Sequence, residues 1–307
     1  FQEGVKMKKI AICLTFVMLC LTGCGTTDQM DANQSESQQA NAKSGSDQAV
    51  LNEYNNLIFG KDADGKAIAS FIRNNADVVS EEASSQMVLQ FEEFQKNKLP
   101  LFEDKFNTGS VQKELMELYM QGGDINDPVG VSRPEVAALV EEAKNSGYKL
   151  IQADGACFPV IDYTFYKNFG ENITPEVSEY ISILELNSNQ PPLHNASLAI
   201  SWDELIERAV RQERFLTDYD DTKTTEKLTP LYQSFTQMIF FGSDNTPLFD
   251  TDTGILKDEV KTAFENAVKS NKNSALIKKI KGFLKALKKD DYRYSEDAEQ
   301  YREDIKF

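Results

Sequence analysis

The stretch SWDELIERAV, residues 201–210, carries the two signals that recur along most of this chain. Ser201 followed three residues later by Glu204 is a capping box, which satisfies two backbone amides at the start of a helix. The apolar residues then recur every three or four positions, so they lie on one face of that helix. They are Trp202, Leu205, Ile206, Ala209 and Val210. The stretch predicts an amphipathic helix that buries this face against a core.

Helical spacing of the same kind fills most of the chain from residue 50 onward. A second capping box, Ser132 with Glu135, opens another helix. Leu99-Pro100 is expected to end a helix near Lys98, because proline lacks the amide that a helix needs. The remaining helices are predicted to begin near Val50, Ile68, Ser80, Val111, Thr174, Pro230, Leu256 and Ser274. Strands do not alternate with helices, so we expect a mainly α-helical, multi-helix body and no doubly wound sheet.

One small β-hairpin is predicted at about residues 148–163, where two β-prone runs flank Asp154-Gly155. An Asp-Gly pair is the strongest short-range hairpin signal, because both turn residues need positive φ. Pro159 falls within the second run and cannot donate a ladder hydrogen bond. The strand that contains it is therefore an edge strand, or the sheet has only two strands.

The N-terminal region has the pattern of a targeting segment. Lys8 and Lys9 precede an apolar run from Ile10 to Leu21, which is shorter than the roughly 20 apolar residues of a membrane-spanning helix. The run ends in Leu21-Thr22-Gly23-Cys24. These residues resemble the lipobox of bacterial lipoproteins. The resemblance implies a diacylglycerol thioether on Cys24 and cleavage just ahead of it; an ordinary secretory signal is the alternative.

This resemblance implies a cellular location and a covalent lipid attachment to the membrane. Two acyl chains hold a protein stably on a bilayer, whereas one chain holds only reversibly. We expect a lipid-anchored protein on the outer face of the cell membrane, with the bilayer as a partner through Cys24 and no cofactor besides the lipid. Residues 1–6 fit no part of the signal and are expected to lie upstream of a true start at Met7.

The composition divides the chain into five predicted segments. Residues 1–23 form the signal peptide, and residues 24–49, rich in Ser, Gln, Asn and Ala, form a flexible tether that spans roughly 25–30 Å as a coil. A Gly/Asp/Pro loop at residues 122–131 separates a helical subdomain, 50–122, from a second one with the hairpin, 130–289. Residues 290–307 form a charged C-terminal tail.

Charge and residue counts exclude several classes of function. The formal net charge of -16 argues against a nucleic-acid partner, which needs clustered basic surface. The single histidine, His194, cannot build a zinc site of several His and Cys ligands, and it lies in a proline-led loop typical of solvated residues. Cys157, within the hairpin, is expected to act as a small buried apolar residue. We therefore expect no catalytic residue and no metal site.

A dense turn at residues 242–250 is a possible ligand loop, with Asp244, Asn245 and Asp250 as its polar contacts. The alternative is a connecting loop whose polar side chains cap neighbouring backbone. Aspartate and glycine at residues 62–65 and 250–254 suggest calcium loops, but both lack the ligands that set affinity and are explained as turns. Acidic residues that could serve a glycosidase-like site instead fit helix starts and turns; they are Glu135, Asp162, Asp203 and Glu204.

A basic amphipathic helix is predicted at residues 274–289. Its lysines are possible contacts to an anionic surface, either acidic lipids or anionic wall polymers. They are Lys278, Lys279, Lys281, Lys285, Lys288 and Lys289, with Lys272 just before them. In the alternative, the apolar stripe packs on the protein's own core and the lysines face nearby acids.

These patterns favour a non-enzymatic lipoprotein that binds or scaffolds something at the bacterial cell envelope. The partner is an envelope protein, a polymer or a small ligand. A ligand-capturing lipoprotein of an importer is the first alternative, although such proteins usually have two α/β lobes. A cell-wall hydrolase is a weaker alternative, because no catalytic motif is present in the sequence.

Overall fold

The computed structural model describes residues 47–270 and 273–305. The predicted signal peptide, Cys24 and the tether up to residue 46 lie outside these ranges. The first described helix covers residues 47–58 (α1). The other helices are Gly65–Asn75 (α2), Glu81–Phe106 (α3), Gly109–Met120 (α4), Pro134–Asn145 (α5), Pro175–Asn189 (α6), Trp202–Asp218 (α7), Lys223–Phe241 (α8), Asp258–Ser270 (α9), Ala275–Lys288 (α10) and Glu296–Glu303 (α11). The prediction of a mainly α-helical body is confirmed.

Side-chain caps explain where several helices begin. The Ser201 hydroxyl accepts from the Glu204 amide at 3.2 Å, and Ser274 accepts from Ile277 at 3.1 Å. Each cap satisfies one of the amides that have no partner inside the helix. The prediction of a capping box at Ser132 is wrong, because Ser132 does not cap helix α5. Helix α5 begins at Pro134, with Arg133 as its N-cap, because the fixed φ of proline suits the first helical position.

Two prolines lie inside helices rather than at their ends, and both predictions based on them are wrong. Helix α3 continues past Pro100 to Phe106, and α8 begins at Lys223 instead of Pro230. A capping box of Thr222 and Thr225 opens α8. Both prolines are exposed, so water can bond the carbonyls that lose an amide partner.

The predicted hairpin is confirmed. Strands β1 (Tyr148–Ala153) and β2 (Ala156–Ile161) form a two-stranded antiparallel sheet. The turn residues Asp154 and Gly155 have φ of 50° and 78°, the conformation that an Asp-Gly turn favours. The described residues also include three 3₁₀ turns, at Ala76–Val78, Pro128–Gly130 and Tyr163–Phe169.

Side-chain amides occupy both outer edges of this sheet. Asn126 bonds the backbone of Leu150 in both directions: its Oδ1 accepts from the Leu150 amide at 2.6 Å, and its Nδ2 donates to the Leu150 carbonyl at 3.0 Å. On the other edge, Gln112 does the same to Cys157. Along each strand of this sheet, the backbone amide and carbonyl groups point alternately toward the partner strand and away from it. Pro159 lies opposite Leu150, whose backbone groups point away from β2 toward Asn126. The amide that Pro159 lacks would also point away, so its absence removes no hydrogen bond between β1 and β2.

A second, very short hairpin follows α6 and was not predicted. Strand β3 (Leu193–His194) pairs with β4 (Ser197–Leu198) around the turn Asn195-Ala196. Both turn residues have positive φ, 49° and 58°, although neither is glycine. The sequence lacks the Asn-Gly or Asp-Gly signal that marks such turns, which is why the hairpin was missed.

The buried apolar residues of the described chain form two core clusters. The first core contains Tyr54, Phe91, Phe106, Tyr180 and Phe215 among its largest members. The second core contains Phe235, Phe240, Phe264 and Phe283. Residues on both sides of the loop at 122–131 contribute to the first core. Helices α7 and α8 contribute to both cores.

The predicted charged tail at 290–307 is folded over most of its length. Helix α11 packs on α10, with Ala298 fully buried in the second core. The Tyr301 hydroxyl donates to the Lys279 carbonyl at 2.9 Å. Gly282 permits this contact, since a Cβ there would lie 2.2 Å from the Tyr301 hydroxyl. Across the described residues, no helix combines the length and apolar character needed to cross a membrane.

Candidate binding groove

Two adjoining cavities flank the short hairpin β3–β4. One, of about 690 Å³, lies between this hairpin, strand β1 and the end of α6. The other, of about 560 Å³, lies between the hairpin and the start of α7. Pro191, Leu193 and His194 line both, so the two cavities form one continuous surface, called here the β3–β4 groove.

Lys149 and Asn189 build the polar floor of the larger cavity. The Lys149 ammonium donates to the Asn189 side-chain oxygen at 2.7 Å and to the Ser188 carbonyl at 3.0 Å. Asn189 in turn donates to the Thr164 hydroxyl at 3.0 Å. Partial burial holds the pKa of Lys149 below its ordinary value, against the opposing effect of Asp162 and Glu185. The floor therefore holds an ammonium group in a fixed position, with the Asp162 carboxylate 4.0 Å away as its ion-pair partner.

Arg208 fixes the other side of the groove. Its guanidinium is buried and donates to the Gln190 carbonyl at 2.6 Å, to the Gln190 side-chain oxygen at 2.9 Å, and to Glu204. Gln190 caps the end of α6, and Glu204 lies in the first turn of α7. The planar fork of arginine thus joins the two helices that carry the hairpin between them.

The hairpin turn is strained and is held in place by a neighbouring loop. An L-residue in the left-handed region costs roughly 1–2 kcal/mol, a cost that Ala196 bears without a polar side chain to offset it. The Asn245 amide donates to the Ala196 carbonyl at 3.1 Å, and its Nδ2 donates to the Asn195 carbonyl at 2.9 Å. The Leu198 amide donates to the Thr246 hydroxyl at 2.9 Å. Strained turns of this kind occur where the surroundings over-determine them, often at functional sites.

The structure separates the three residues of the predicted ligand loop. Asn245 reaches the β3–β4 groove through the bonds just described, and Asp244 lies exposed beside it. Asp250 caps its own turn instead, accepting from the Thr253 amide and hydroxyl, each at 2.8 Å. These bonds, with one from the Asp252 amide, hold the pKa of Asp250 below its ordinary value.

The other candidate residues from the sequence are engaged in local structure. Asp64 caps α2 by accepting from the Ala67 amide at 2.8 Å, which explains the first calcium-like turn. In the described part of the chain, no group of three or more His, Cys, Asp or Glu side chains is arranged to hold a metal ion. Cys157 is buried, and burial raises the pKa of its thiol. His194 is exposed at the groove, where it lies in strand β3 rather than in an irregular loop.

The four acids considered for a glycosidase-like site do not converge. Glu135 pairs with Arg133, and Glu204 pairs with Arg208. Asp162 caps the 3₁₀ turn that starts at Tyr163, and Asp203 accepts from Asn266 at 3.3 Å. Each carboxylate is therefore explained by a local contact.

A buried polar centre surrounds Glu92, a residue that no sequence pattern singled out. This carboxylate on α3 is fully buried and accepts from the hydroxyls of Tyr163 at 2.9 Å and Tyr180 at 2.8 Å. Its ion pairs join the ammonium groups of Lys96 at 2.8 Å and Lys227 at 3.0 Å. Burial alone would raise the pKa of Glu92, but the two ammonium groups hold it below its ordinary value.

The buried polar centre is a structural device rather than an open site. Its members come from α3, the 163–169 turn, α6 and α8, so the carboxylate ties four elements together. The neighbouring Gln95 is also buried; it donates to the Ser146 carbonyl at 2.8 Å and accepts from Tyr166. A polar residue at a core position of α3 was the available sequence signal, since such residues are buried only when paired.

The basic helix α10 has its apolar stripe in the second core and its lysines outside. Leu276, Ile277, Ile280, Phe283 and Leu287 are buried. The stripe therefore packs on the protein's own core, as the alternative interpretation expected. Lys278, Lys281, Lys285, Lys288 and Lys289 are exposed, and Lys279 is half-buried. Lys272 lies outside the described residues.

Comparison with known proteins adds no relative: no family model, no curated protein and no solved structure matches this chain. Function is therefore inferred from the targeting motif and from the geometry of the β3–β4 groove and the charged surfaces.

Proposed function

We propose that this chain is a lipid-anchored protein on the outer face of a bacterial cell membrane, where its helical body binds or scaffolds a partner without transforming it. The address is inferred from Leu21-Thr22-Gly23-Cys24 and the basic, apolar segment before it. The diacylglycerol on Cys24 supplies the membrane attachment and is the only group added to the chain.

One observation carries the binding role: the strained Asn195-Ala196 turn, held by Asn245, stands between two open cavities. A rigid projection with an apolar side chain, Leu193, and a polar one, His194, offers the mixed surface that recognition uses. The cations nearby are engaged within the fold: Lys149 bonds the Ser188 carbonyl and lies 4.0 Å from Asp162, and the buried Arg208 bonds the Gln190 carbonyl and pairs with Glu204. Groups bound in this way shape the groove and are poorly placed to exchange protons with a substrate.

The two alternative functions have less support. A ligand-capturing importer protein usually has two α/β lobes, whereas the sheets in the described residues are the two-stranded pairs β1–β2 and β3–β4. A hydrolase needs two carboxylates held at one substrate with pKa values pushed apart. The candidate acids contact different local partners, and Glu92 is closed off by four of them.

The membrane address is tested by replacing Cys24 with serine, which removes the thiol that lipid attachment requires. We expect Cys24→Ser to lose the detergent-phase partitioning of the wild-type protein, and either to remain uncleaved or to leave the membrane. Phase partitioning and intact mass of the mature protein measure both effects. Unchanged partitioning with a normal mature mass would end the lipoprotein interpretation.

The binding role is tested by a photo-crosslinking amino acid placed at Leu193 in the groove. The matched control places it at Val129, a side chain 89 % exposed on the 128–130 turn. In living cells, we expect a discrete crosslinked product from position 193 and none from position 129. Products from both positions in equal yield, or from neither, would contradict a role for the groove.

A further inference from the structure

Four lysines form a continuous basic face on α10. Lys278, Lys281, Lys285 and Lys288 are exposed. At about 100° per residue they fall within about 80° of arc, and at about 1.5 Å per residue they span about 15 Å along the helix. Among the described residues, no carboxylate lies within the 4.0 Å limit for an ion pair with these four ammonium groups. In a chain of net charge -16, this face stands out by its sign.

The packing of α10 fixes which way this face points. The apolar stripe is buried in the second core, and the Gly282 flank contacts Tyr301 of α11. Lys289, which follows α10, forms an ion pair at 2.6 Å with Asp297 in the acidic first turn of α11. At about 100° per residue, Lys281 and Lys288 lie roughly 100–120° around the helix from Gly282, and Lys278 and Lys285 lie roughly 40–60° from it. The core and α11 thus hold the four lysines outward, as a row of positive charge on a rigid helix.

From this geometry we propose that the four-lysine face of α10 docks on the anionic phospholipid headgroups of the bilayer to which the chain is anchored. The inference rests on the proposed lipid anchor and extends it, because it gives the anchored body a membrane-facing side. The contact is electrostatic, since the apolar residues that would insert into a bilayer are committed to the core.

The chemistry of the face favours a phospholipid surface over a specific polymer or protein. All four charges are lysines, which act as hydrated point charges and impose little geometry on the phosphate they contact. The residues between them within the exposed arc supply no aromatic ring for stacking and no arginine fork for bidentate binding. A row of lysines on a convex helix suits a flat layer of mobile phosphates, which can rearrange beneath it.

The expected strength of this contact suits a protein that a lipid anchor already holds at the membrane. Each lysine near an acidic surface raises the partition coefficient about fivefold, so four raise it close to a thousandfold. The acidic remainder of the body opposes this attraction. At physiological ionic strength, screening leaves such a contact too weak to recruit a free protein efficiently, but it can orient a body that a lipid already holds at the surface. At low salt the attraction is less screened, and a chain without lipid can bind.

Vesicle cosedimentation tests the proposal with a chain that begins at Gly25 and so carries no lipid. All described residues belong to one compact unit, so this chain retains the fold. The test variant is Lys278→Gln, Lys281→Gln, Lys285→Gln and Lys288→Gln combined. The matched control loses the same charge from exposed lysines elsewhere: Lys61, Lys66, Lys144 and Lys223. Vesicles contain phosphatidylglycerol with phosphatidylcholine, or phosphatidylcholine alone.

We expect the wild-type chain and the control variant to bind phosphatidylglycerol vesicles at low salt and to release at high salt. The test variant should fall to the level seen with phosphatidylcholine, and single replacements should each cost about fivefold. Equal binding by all three chains would overturn the proposal. Equal loss of vesicle binding in the test and control variants would also overturn it, because net charge and not the α10 face would then determine binding. Binding of the wild-type chain to soluble polyphosphate but not to vesicles would overturn it as well. None of these results depends on Cys24, so the anchor is tested separately.

Discussion

Replacing Glu92 with glutamine measures what the buried polar centre contributes to stability. The substitution keeps the size and one acceptor oxygen, so bonds from Tyr163 and Tyr180 can persist. It removes the negative charge that Lys96 and Lys227 face at 2.8 and 3.0 Å. The new amide also presents N–H groups toward an ammonium, which can only donate. Two ion pairs are lost together, one of them largely buried.

The magnitude follows from the exposure of the two lysines. Removing one member of a buried ion pair costs about 3–5 kcal/mol, because the other charge is left uncompensated. Lys96 is 39 % exposed and can be rehydrated, so its pair contributes little. Lys227 is 23 % exposed and keeps Glu93 at 3.3 Å. We therefore expect the lower end, about 3 kcal/mol, for Glu92→Gln.

Urea unfolding at neutral and acidic pH checks this value. Folding lowers the pKa of Glu92. Its negative charge therefore stabilises the folded state fully at pH values above 4.5, the ordinary pKa of the carboxyl group, and this stabilisation is lost as the pH falls through the pKa of the folded state. The gap between wild type and Glu92→Gln should narrow below that pH. Glu93→Gln, on a side chain 55 % exposed, is the control and should change stability by less than about 1 kcal/mol. A gap under 1 kcal/mol at neutral pH, or one that persists in acid, would refute the reasoning.

Two further substitutions test local geometry. Ala196→Gly should stabilise the protein by about 0.5–1 kcal/mol, because glycine adopts φ of 58° without the side-chain clash; thermal unfolding measures this, and a loss of stability would contradict the strain at this turn. Gly282→Ala should destabilise by about 1–3 kcal/mol, since the added carbon would lie 2.2 Å from the Tyr301 hydroxyl. Faster hydrogen exchange across α11 would locate the effect, and unchanged exchange would show that α11 does not depend on this close approach.

Most of the fold could be predicted because its signals are local. Caps such as Ser201 and Ser274 and the Asp154-Gly155 turn act within four residues of the chain. The predictions that failed concern positions where tertiary packing, rather than local sequence, determines the backbone conformation. Pro100 is tolerated inside α3 because the surrounding turns pack on the first core, while the proline itself faces solvent. Packing energy there exceeds the cost of one missing hydrogen bond.

The polar centre and the groove could be predicted only in part. Glu92 follows the buried Phe91 on the apolar side of α3, so the sequence signals that this charge must be paired, but its partner Lys227 lies 135 positions away. The groove likewise joins β1, the 190–201 segment and Asn245, which are far apart in the chain. Such sites depend on long-range packing, for which a single sequence carries no periodic or spacing signal.

The amide pair on the outer edges of the β1–β2 sheet has a consequence for crowded surfaces. An open strand edge is a template on which another chain can add, and this risk grows when many copies share one plane. Asn126 and Gln112 occupy backbone groups at Leu150 and Cys157 that a foreign strand would need. If the proposed anchor concentrates the protein on a bilayer, these two amides act as gatekeepers against amyloid-like self-addition. Replacing either one would expose that edge to aggregation.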